Sequence, residues 1–557
     1  MAKNDLCKNL KYSNLKAGEH ILLKSKDDLT LEHNKNTPLY KLTGFSGTAG
    51  EAIQDYKGKI TLFVDPRYHI QAENETKGKN VEVIKLDMKT SFADALKNRL
   101  QEGNTLYIPS KSTKISTFKT FEKELKGITL KPYETADIPE CDTKIETVPL
   151  EICGVSYDKK IEKLRRAVKG KSILLTSLED VSYILNLRCF KEPDTSVIRA
   201  KMLVTEDKTY VFTDCTLPKL NGVKVLPFSD MAKTLKTIKN EVLIDENNIT
   251  LNDFNLVNNL VKRPVPLKKN PVAKMASVKN AAEIKHYKEA FKRLDDALYS
   301  FRSKIKAGLS EFELKEIFEK ELLRNGARGT SFKTILAVGE NSSSIHYSNC
   351  DKKRIIKEGE ILLIDCGGYY EGGYATDITR VFVCPSENSN QKNIKNTAKI
   401  SKKVKEIYTA VLKAQLNVFF GDFTETKPMD DLARKILKPY EKGDDKSGSD
   451  FSFPHSLGHG VGIPVHQAPP TLTMNPKFNS KLQNNMVFTI EPGLYNGTTD
   501  KGNFGIRLEN TVYYDKKRNK KITLSKFPYE EDLIEITMLN KKEQKQLQMW
   551  QEGRQND

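Results

Sequence analysis

Apolar positions at Ile284, Phe291, Leu294, Leu298, Phe301 and Ile305 recur at spacings of three, four and seven. That period lays one apolar stripe along an amphipathic helix, which Gly308 ends. Ser310 followed by Glu313 is a capping box, so a second helix should run to about Arg324 and close at Gly326. Beyond it the pattern shortens. Ile361–Ile364, Arg380–Val383, Met486–Ile490 and Ile506–Leu508 read as strands, and the polar stretch from Lys541 reads as a final surface helix.

Upstream, Tyr40–Gly47 leads into a strand-like run at Ile60–Asp65, and Val181–Leu187 leads into another at Tyr210–Asp214. Each pairs a helix end or turn with a β-rich run closing on Asp, a faint internal repeat. Three prolines between Arg263 and Pro271 read as a linker. At 557 residues the chain exceeds what one hydrophobic core usually serves. Three segments result: residues 1–145, 146–272 and 273–557.

Composition narrows the class. With 38% apolar and 29% charged residues the chain suits a soluble globular protein. It has no run of eighteen apolar residues, hence no expected membrane span, and Met1–Asp5 opens without the apolar stretch of a signal peptide. Eight scattered cysteines without a Cys-x-x-Cys pair argue against a disulfide framework or a zinc knuckle and fit a reducing, cytoplasmic setting. The formal charge of +18 invites a nucleic-acid partner. The lysines are spread along the whole chain, however, and no basic block is interleaved with aromatics, so a solvated surface is the better reading.

The chemistry concentrates late in the chain. Of eight histidines, four (His346, His455, His459, His466) lie within one stretch, among acids in unusual surroundings. Asp365 follows an apolar strand and precedes Cys366-Gly367-Gly368. Asp377 lies twelve residues on, where a returning strand could bring it beside Asp365. Glu491 closes an apolar strand, and Glu509 sits inside Gly505–Asn510. Acids at apolar strand ends are costly unless paired or metal-bound. Two divalent cations would balance four such carboxylates, and this hard donor set with one imidazole suits manganese, with cobalt or zinc as alternatives, better than a thiolate-rich zinc site. Taken singly, Asp365 and Glu491 could cap strands, Asp377 could pair with Arg380, and His459 could be a core histidine in a Gly-rich turn. Their joint occurrence in this order favours the metal reading.

Asp365–Arg380, His455–Gly462, Thr489–Gly493 and Phe504–Asn510 resemble the motifs of the pita-bread metallopeptidases, the family of methionine aminopeptidase, prolidase and aminopeptidase P. Ser331–Ile335 and Asn341–Tyr347 resemble the segment carrying a substrate-side histidine. Gly44–Gly50 and Val64–Tyr68 resemble the first domain of the three-domain, cytosolic aminopeptidase P type. The resemblance implies an α+β fold, two related α/β N-terminal domains followed by a C-terminal pita-bread catalytic domain, and a homodimer. It implies a metal-dependent aminopeptidase hydrolysing the N-terminal Xaa-Pro bond of peptides through a hydroxide between two metal ions. Asp377 and Glu509 would bridge the metals, Asp365 would complete one shell, and His459 and Glu491 the other. His346, His455 and His466 would place substrate and shuttle protons, Glu491 would orient the nucleophile or take its proton, and Arg507 would steady Asp377 or Glu509.

The chain departs from the family pattern in three places: a longer Asp365–Asp377 interval, a polar loop at Asn496–Gly502, and a His459–His466 spacing of the bacterial or methionine type. The rivals are a prolidase restricted to dipeptides, a metal-free creatinase-like hydrolase, and an inactive scaffold. Two N-terminal domains disfavour the first, and five intact ligand positions disfavour the others.

Overall fold

The computed structural model describes residues 15–26, 37–134, 144–386, 400–442 and 450–554. The chain falls into two units, one of residues 1–147, 155–189 and 197–272, the other of residues 148–154, 190–196 and 273–557.

The first unit holds two six-stranded sheets. One comprises Glu19–Lys24, Glu51–Asp55, Ile60–Val64, Val81–Lys85, Thr105–Pro109 and Thr129–Tyr133. The other comprises Ser172–Leu175, Lys201–Val204, Thr209–Phe212, Lys224–Leu226, Val242–Ile244 and Pro264–Pro266. Counting strands along the chain, both sheets have the order 4-3-2-1-5-6. The senses match as well: pairs 1–2 and 2–3 are antiparallel, while 3–4, 1–5 and 5–6 are parallel. The faint repeat in the sequence is therefore a repeat of topology. Ile60–Val64 and Thr209–Phe212 are both third strands, and each sheet has a helix, Pro38–Thr43 or Leu178–Leu185, between its first and second strands.

The unbroken apolar runs have a physical cause, because helices cover both sheet faces. Ile21, Leu23, Leu62 and Val64 join the core on one face of the first sheet, and Leu22 and Phe63 the core on the other. The proline-rich stretch is not a free linker, since Pro264–Pro266 pairs with Val242–Ile244 as the edge strand of the second sheet. An edge tolerates proline, because its outer side makes no ladder bonds.

In the second unit the helix Ala281–Arg302 buries Ile284, Phe291, Leu294, Leu298 and Phe301, the stripe that the periodicity requires. Ser310 and Glu313 cap the helix Glu311–Arg324 reciprocally. Strands Ile335–Val338, Ile361–Cys366 and Ile378–Val383 follow as an antiparallel ladder. A second helix pair, Lys402–Phe420 and Lys427–Leu437, precedes a second antiparallel ladder of Val487–Ile490, Asn510–Asp515 and Lys520–Thr523. A smaller ladder joins Phe451–Ser452, Gly493–Asn496 and Gly505–Arg507. Two helix pairs, each followed by antiparallel strands, make the α+β pita-bread arrangement.

The final helix, Lys541–Gln551, is not merely superficial: Leu547 and Trp550 are buried in the core of this unit. Among the described residues no helix is long and apolar enough to cross a membrane.

Candidate metal centre

Two antiparallel strand pairs and one glycine-rich turn deliver the four acids and His459. The strand Ile361–Cys366 runs antiparallel to Ile378–Val383 with Asp365 opposite Thr379. Asp365 thus lies inside its strand, not after it, and Asp377 stands one residue before the returning strand. The Asp377 carbonyl accepts a bond from Thr511 Oγ1 at 2.8 Å. Glu509 N–H donates to the Thr379 carbonyl at 3.2 Å, and Thr379 Oγ1 donates to Glu509 Oε2 at 2.8 Å. Glu491 leaves the end of Val487–Ile490. His459 belongs to the short strand Gly458–His459. A Cβ at position 458 would collide with the Thr489 carbonyl, so glycine is what lets the His459 segment lie against the strand carrying Glu491. Thr489 Oγ1 then serves both, accepting from His459 N–H at 3.1 Å and donating to Glu491 Oε1 at 3.1 Å.

The side chains converge. Donor atoms of Asp377, His459 and Glu509 all lie within 4.8 Å of one another. His459 Nε2 is 3.6 Å from Asp377 Oδ2 and 3.3 Å from Glu491 Oε1. Burial pushes the Asp377 carboxyl well above the usual range, and the charges of Glu509, Asp365 and Glu491 push it further. Glu491 is raised for the same reasons, burial first and then Glu509, against the opposing charge of Arg507. Burial followed by Asp365 pushes Glu509 up to about 8. Four carboxylates this close repel one another, and only protons or cations can relieve them.

The donor set fits divalent cations on three counts. Asp365 Oδ1 is buried and meets no protein donor, an acceptor left over for an outside partner. His459 Nδ1 is 3.1 Å from the Gly460 carbonyl, an acceptor that takes the Nδ1 proton, so Nε2, which faces the acids, is the nitrogen left to coordinate a cation. Finally, one imidazole among four carboxylates is a hard, oxygen-rich set.

Arg507 is buried, 2% exposed, and is no surface salt-bridge partner. Its carboxylate partner differs from the expected Asp377 or Glu509: Nη2 donates to Asp365 Oδ2 at 2.6 Å. It reaches Glu509 only indirectly, since Nε donates to Thr379 Oγ1 at 3.1 Å. Nη1 donates to the Tyr495 hydroxyl at 2.9 Å and to the Ile345 carbonyl at 3.3 Å. The alternative Asp377–Arg380 pair is absent from the described contacts. Arg380 instead donates to the carbonyls of Thr379, Glu509, Phe527 and Pro528 and to Asn510.

The three remaining histidines lie around this cluster in different ways. His455 is buried; its Nδ1 is 2.8 Å from the Ser456 carbonyl and its Nε2 3.0 Å from the Tyr495 hydroxyl. The His466 ring is exposed and packs beside His459 at 4.3 Å between centroids, the ring planes tilted by 59°. His346 is half-buried and follows Ile345, whose carbonyl Arg507 grips. Sequence reasoning missed Thr379, Thr489 and Tyr495 as members of the site. A hydroxyl that bridges two functional groups has no spacing rule of its own.

Known proteins show similar architecture. A family model described as Metallopeptidase family M24 matches residues 285–516, and Creatinase/Prolidase N-terminal domain models match residues 30–139 and 137–283. A probable Xaa-Pro aminopeptidase P of Laccaria bicolor is 25% identical over 91% of this chain and 82% of its own length. An Xaa-Pro dipeptidase of Pyrococcus horikoshii is 33% identical, over only 45% of this chain and 63% of its own. In fold, a Caenorhabditis elegans X-prolyl aminopeptidase, described as a cytosolic enzyme with a di-nuclear active site, superposes with a TM-score of 0.81 at 21% identity. That match covers 95% of this chain and 90% of the other.

Proposed function

We propose, from the matches to the Metallopeptidase family M24 model and to two Creatinase/Prolidase N-terminal domain models, that the chain removes the first residue from peptides whose second residue is proline. The observation that carries this reading is the convergence of Asp377, His459, Glu491 and Glu509, with the orphaned Asp365 Oδ1 beside them. Asp365, Asp377, His459, Glu491 and Glu509 would hold two divalent cations, manganese first, with Asp377 and Glu509 shared between them. When bound, such a pair supplies Lewis-acid polarisation of the scissile carbonyl and lowers the pKa of an attacking water.

The chain's own groups do the rest. Glu491, anchored through Thr489, orients the attacking water or takes its proton. Arg507 locks Asp365 from behind and so sets the direction of its free oxygen. His346, His455 and His466 flank the cluster as substrate-side groups that place the peptide and carry protons, so position supplies much of the rate.

The aminopeptidase relative aligns along most of this chain and the dipeptidase along less than half, which favours peptides over dipeptides. On this reading the enzyme would act as a homodimer in the cytoplasm. Proline lacks an amide hydrogen and has a fixed φ, so its bond suits a site built for it. The test compares rates on Arg-Pro-Pro, its acetylated form, Arg-Ala-Pro and Arg-Pro. Cleavage of the first alone is expected. Similar rates for proline and alanine at the second position would overturn the reading in favour of a general aminopeptidase, and cleavage of Arg-Pro alone would favour a prolidase.

A further inference from the structure

Glu311 opens the helix Glu311–Arg324 and is fully buried, 0% exposed. A carboxylate in that setting needs donors around it. Oε1 accepts from Val338 N–H at 2.7 Å and Asn341 Nδ2 at 3.0 Å, and Oε2 accepts from the Tyr347 hydroxyl at 2.6 Å and Asp351 N–H at 3.0 Å. Helix capping does not explain this arrangement, because Ser310 and Glu313 already form the capping box. The carboxylate of Glu311 is spent on another segment.

All four donors lie between Val338, the last residue of its strand, and Asp351, and they bracket His346. The far side of that segment is gripped as well. Ser342 Oγ accepts from Gly505 N–H at 2.8 Å, and the Ile345 carbonyl accepts from Arg507 Nη1. A Cβ at Gly505 would strike the Ser342 carbonyl, so the strand can approach this closely only as glycine. Outside, Arg354 braces the same segment to its flank, donating to Glu340 at 2.9–3.0 Å and to Glu360 at 3.0–3.1 Å. The residue before His346 is therefore one hydrogen bond from the guanidinium that holds Asp365, and Glu311 anchors both ends of the segment that puts it there.

We propose that Glu311 is a positioning residue for His346, holding the segment 338–351 so that this histidine stands at a set place relative to Asp365 and Arg507. The proposal rests on reading His346 as a substrate-side group. Hydrogen bonds to a charged acceptor are the strong ones, and four on one carboxylate restrict a loop that would otherwise sample many conformations. Glu311→Gln keeps shape and volume, but its amide must face one pair of donors.

The test is a double-mutant cycle on the manganese-loaded enzyme with Arg-Pro-Pro, using Glu311→Gln, His346→Ala and the combination, with metal content measured on each. Glu311→Gln should keep its metal and lose roughly 10- to 100-fold in kcat, since misplacement of about 1 Å costs up to about 10²-fold. In the His346→Ala background the same change should cost less than about twofold, because the group it positions is gone. Tyr347→Phe deletes one donor and adds none. It should show the same dependence on His346 at smaller amplitude, and it decides the case if Glu311→Gln does not fold. An equal loss in both backgrounds, no loss at all, or loss of metal overturns the proposal. Full turnover in His346→Ala alone would instead sink the reading of His346 itself, and the positioning proposal with it.

Discussion

Arg507 holds Asp365 by one oxygen only: Nη2 lies 2.6 Å from Oδ2, while the buried Oδ1 meets no protein donor. A carboxylate fixed from behind, with one oxygen spare, is aimed at a partner outside the chain. Lysine at position 507 could not contact Asp365, Tyr495, Thr379 and Ile345 together, since a point charge lacks the planar fork. Arg507→Lys should weaken metal binding or turnover about 10- to 100-fold, as outer partners of metal ligands do. Metal titration alongside kcat checks this; an unaltered enzyme would show that the fork is dispensable.

Thr379 relays between Arg507 Nε and Glu509 Oε2 through one hydroxyl. Thr379→Val keeps the volume and removes the relay, leaving a buried guanidinium N–H unpaired at a cost of about 1–3 kcal/mol. The thermal midpoint should fall and metal affinity should drop with it. A variant matching the parent in both would remove Thr379 from the site.

Asp377→Ala and Glu509→Ala should each release both metals, whereas His459→Ala should mainly weaken one. A shared carboxylate serves two ions, and a terminal imidazole serves one. Metal content per chain decides; two tightly bound ions in Asp377→Ala would refute the bridging assignment.

Without cations the site should make stability fall as pH rises. Asp377 and Glu491 are held well above the ordinary carboxyl range, and Glu509 is pushed up to about 8. The folded protein therefore keeps protons that the unfolded chain releases near pH ~4. Between that value and the raised folded values, each pH step favours the unfolded state. Cations replace those protons, so manganese should raise the midpoint of chelated protein more at pH 8 than at pH 5.5. Equal shifts at both pH values would contradict the clustering of the carboxylates.

His346→Ala and His466→Ala should keep their metals and lose turnover. Removing one donor that acts on developing charge costs roughly 3–4 kcal/mol, or about 10²–10³ in rate. Metal loss in either variant would mark a ligand misread as a substrate-side group.

Some of this was legible before any tertiary structure. The helical stripe from Ile284 to Phe301, the Ser310–Glu313 cap and the strands around Asp365 and Glu491 follow from local period and capping chemistry, which a linear chain carries in full. The candidate acids and histidines were readable because short motifs fix residue type and spacing. Other features required three dimensions. Pro264–Pro266 looked like a linker because prolines mark breaks, yet Val242–Ile244 takes it up as an edge strand. Trp550 and Leu547 anchor a helix whose composition looked wholly superficial. Arg507 pairs with Asp365, 142 residues away, and not with its sequence neighbour Glu509, because packing lays the Gly505–Arg507 strand against Ile361–Cys366 of another ladder. Thr379, Tyr495 and Glu311 acquire their roles only from such long-range meetings. Local pattern names the groups that can act; which ones touch is decided by packing between elements distant in the chain, and no spacing along the sequence encodes that distance.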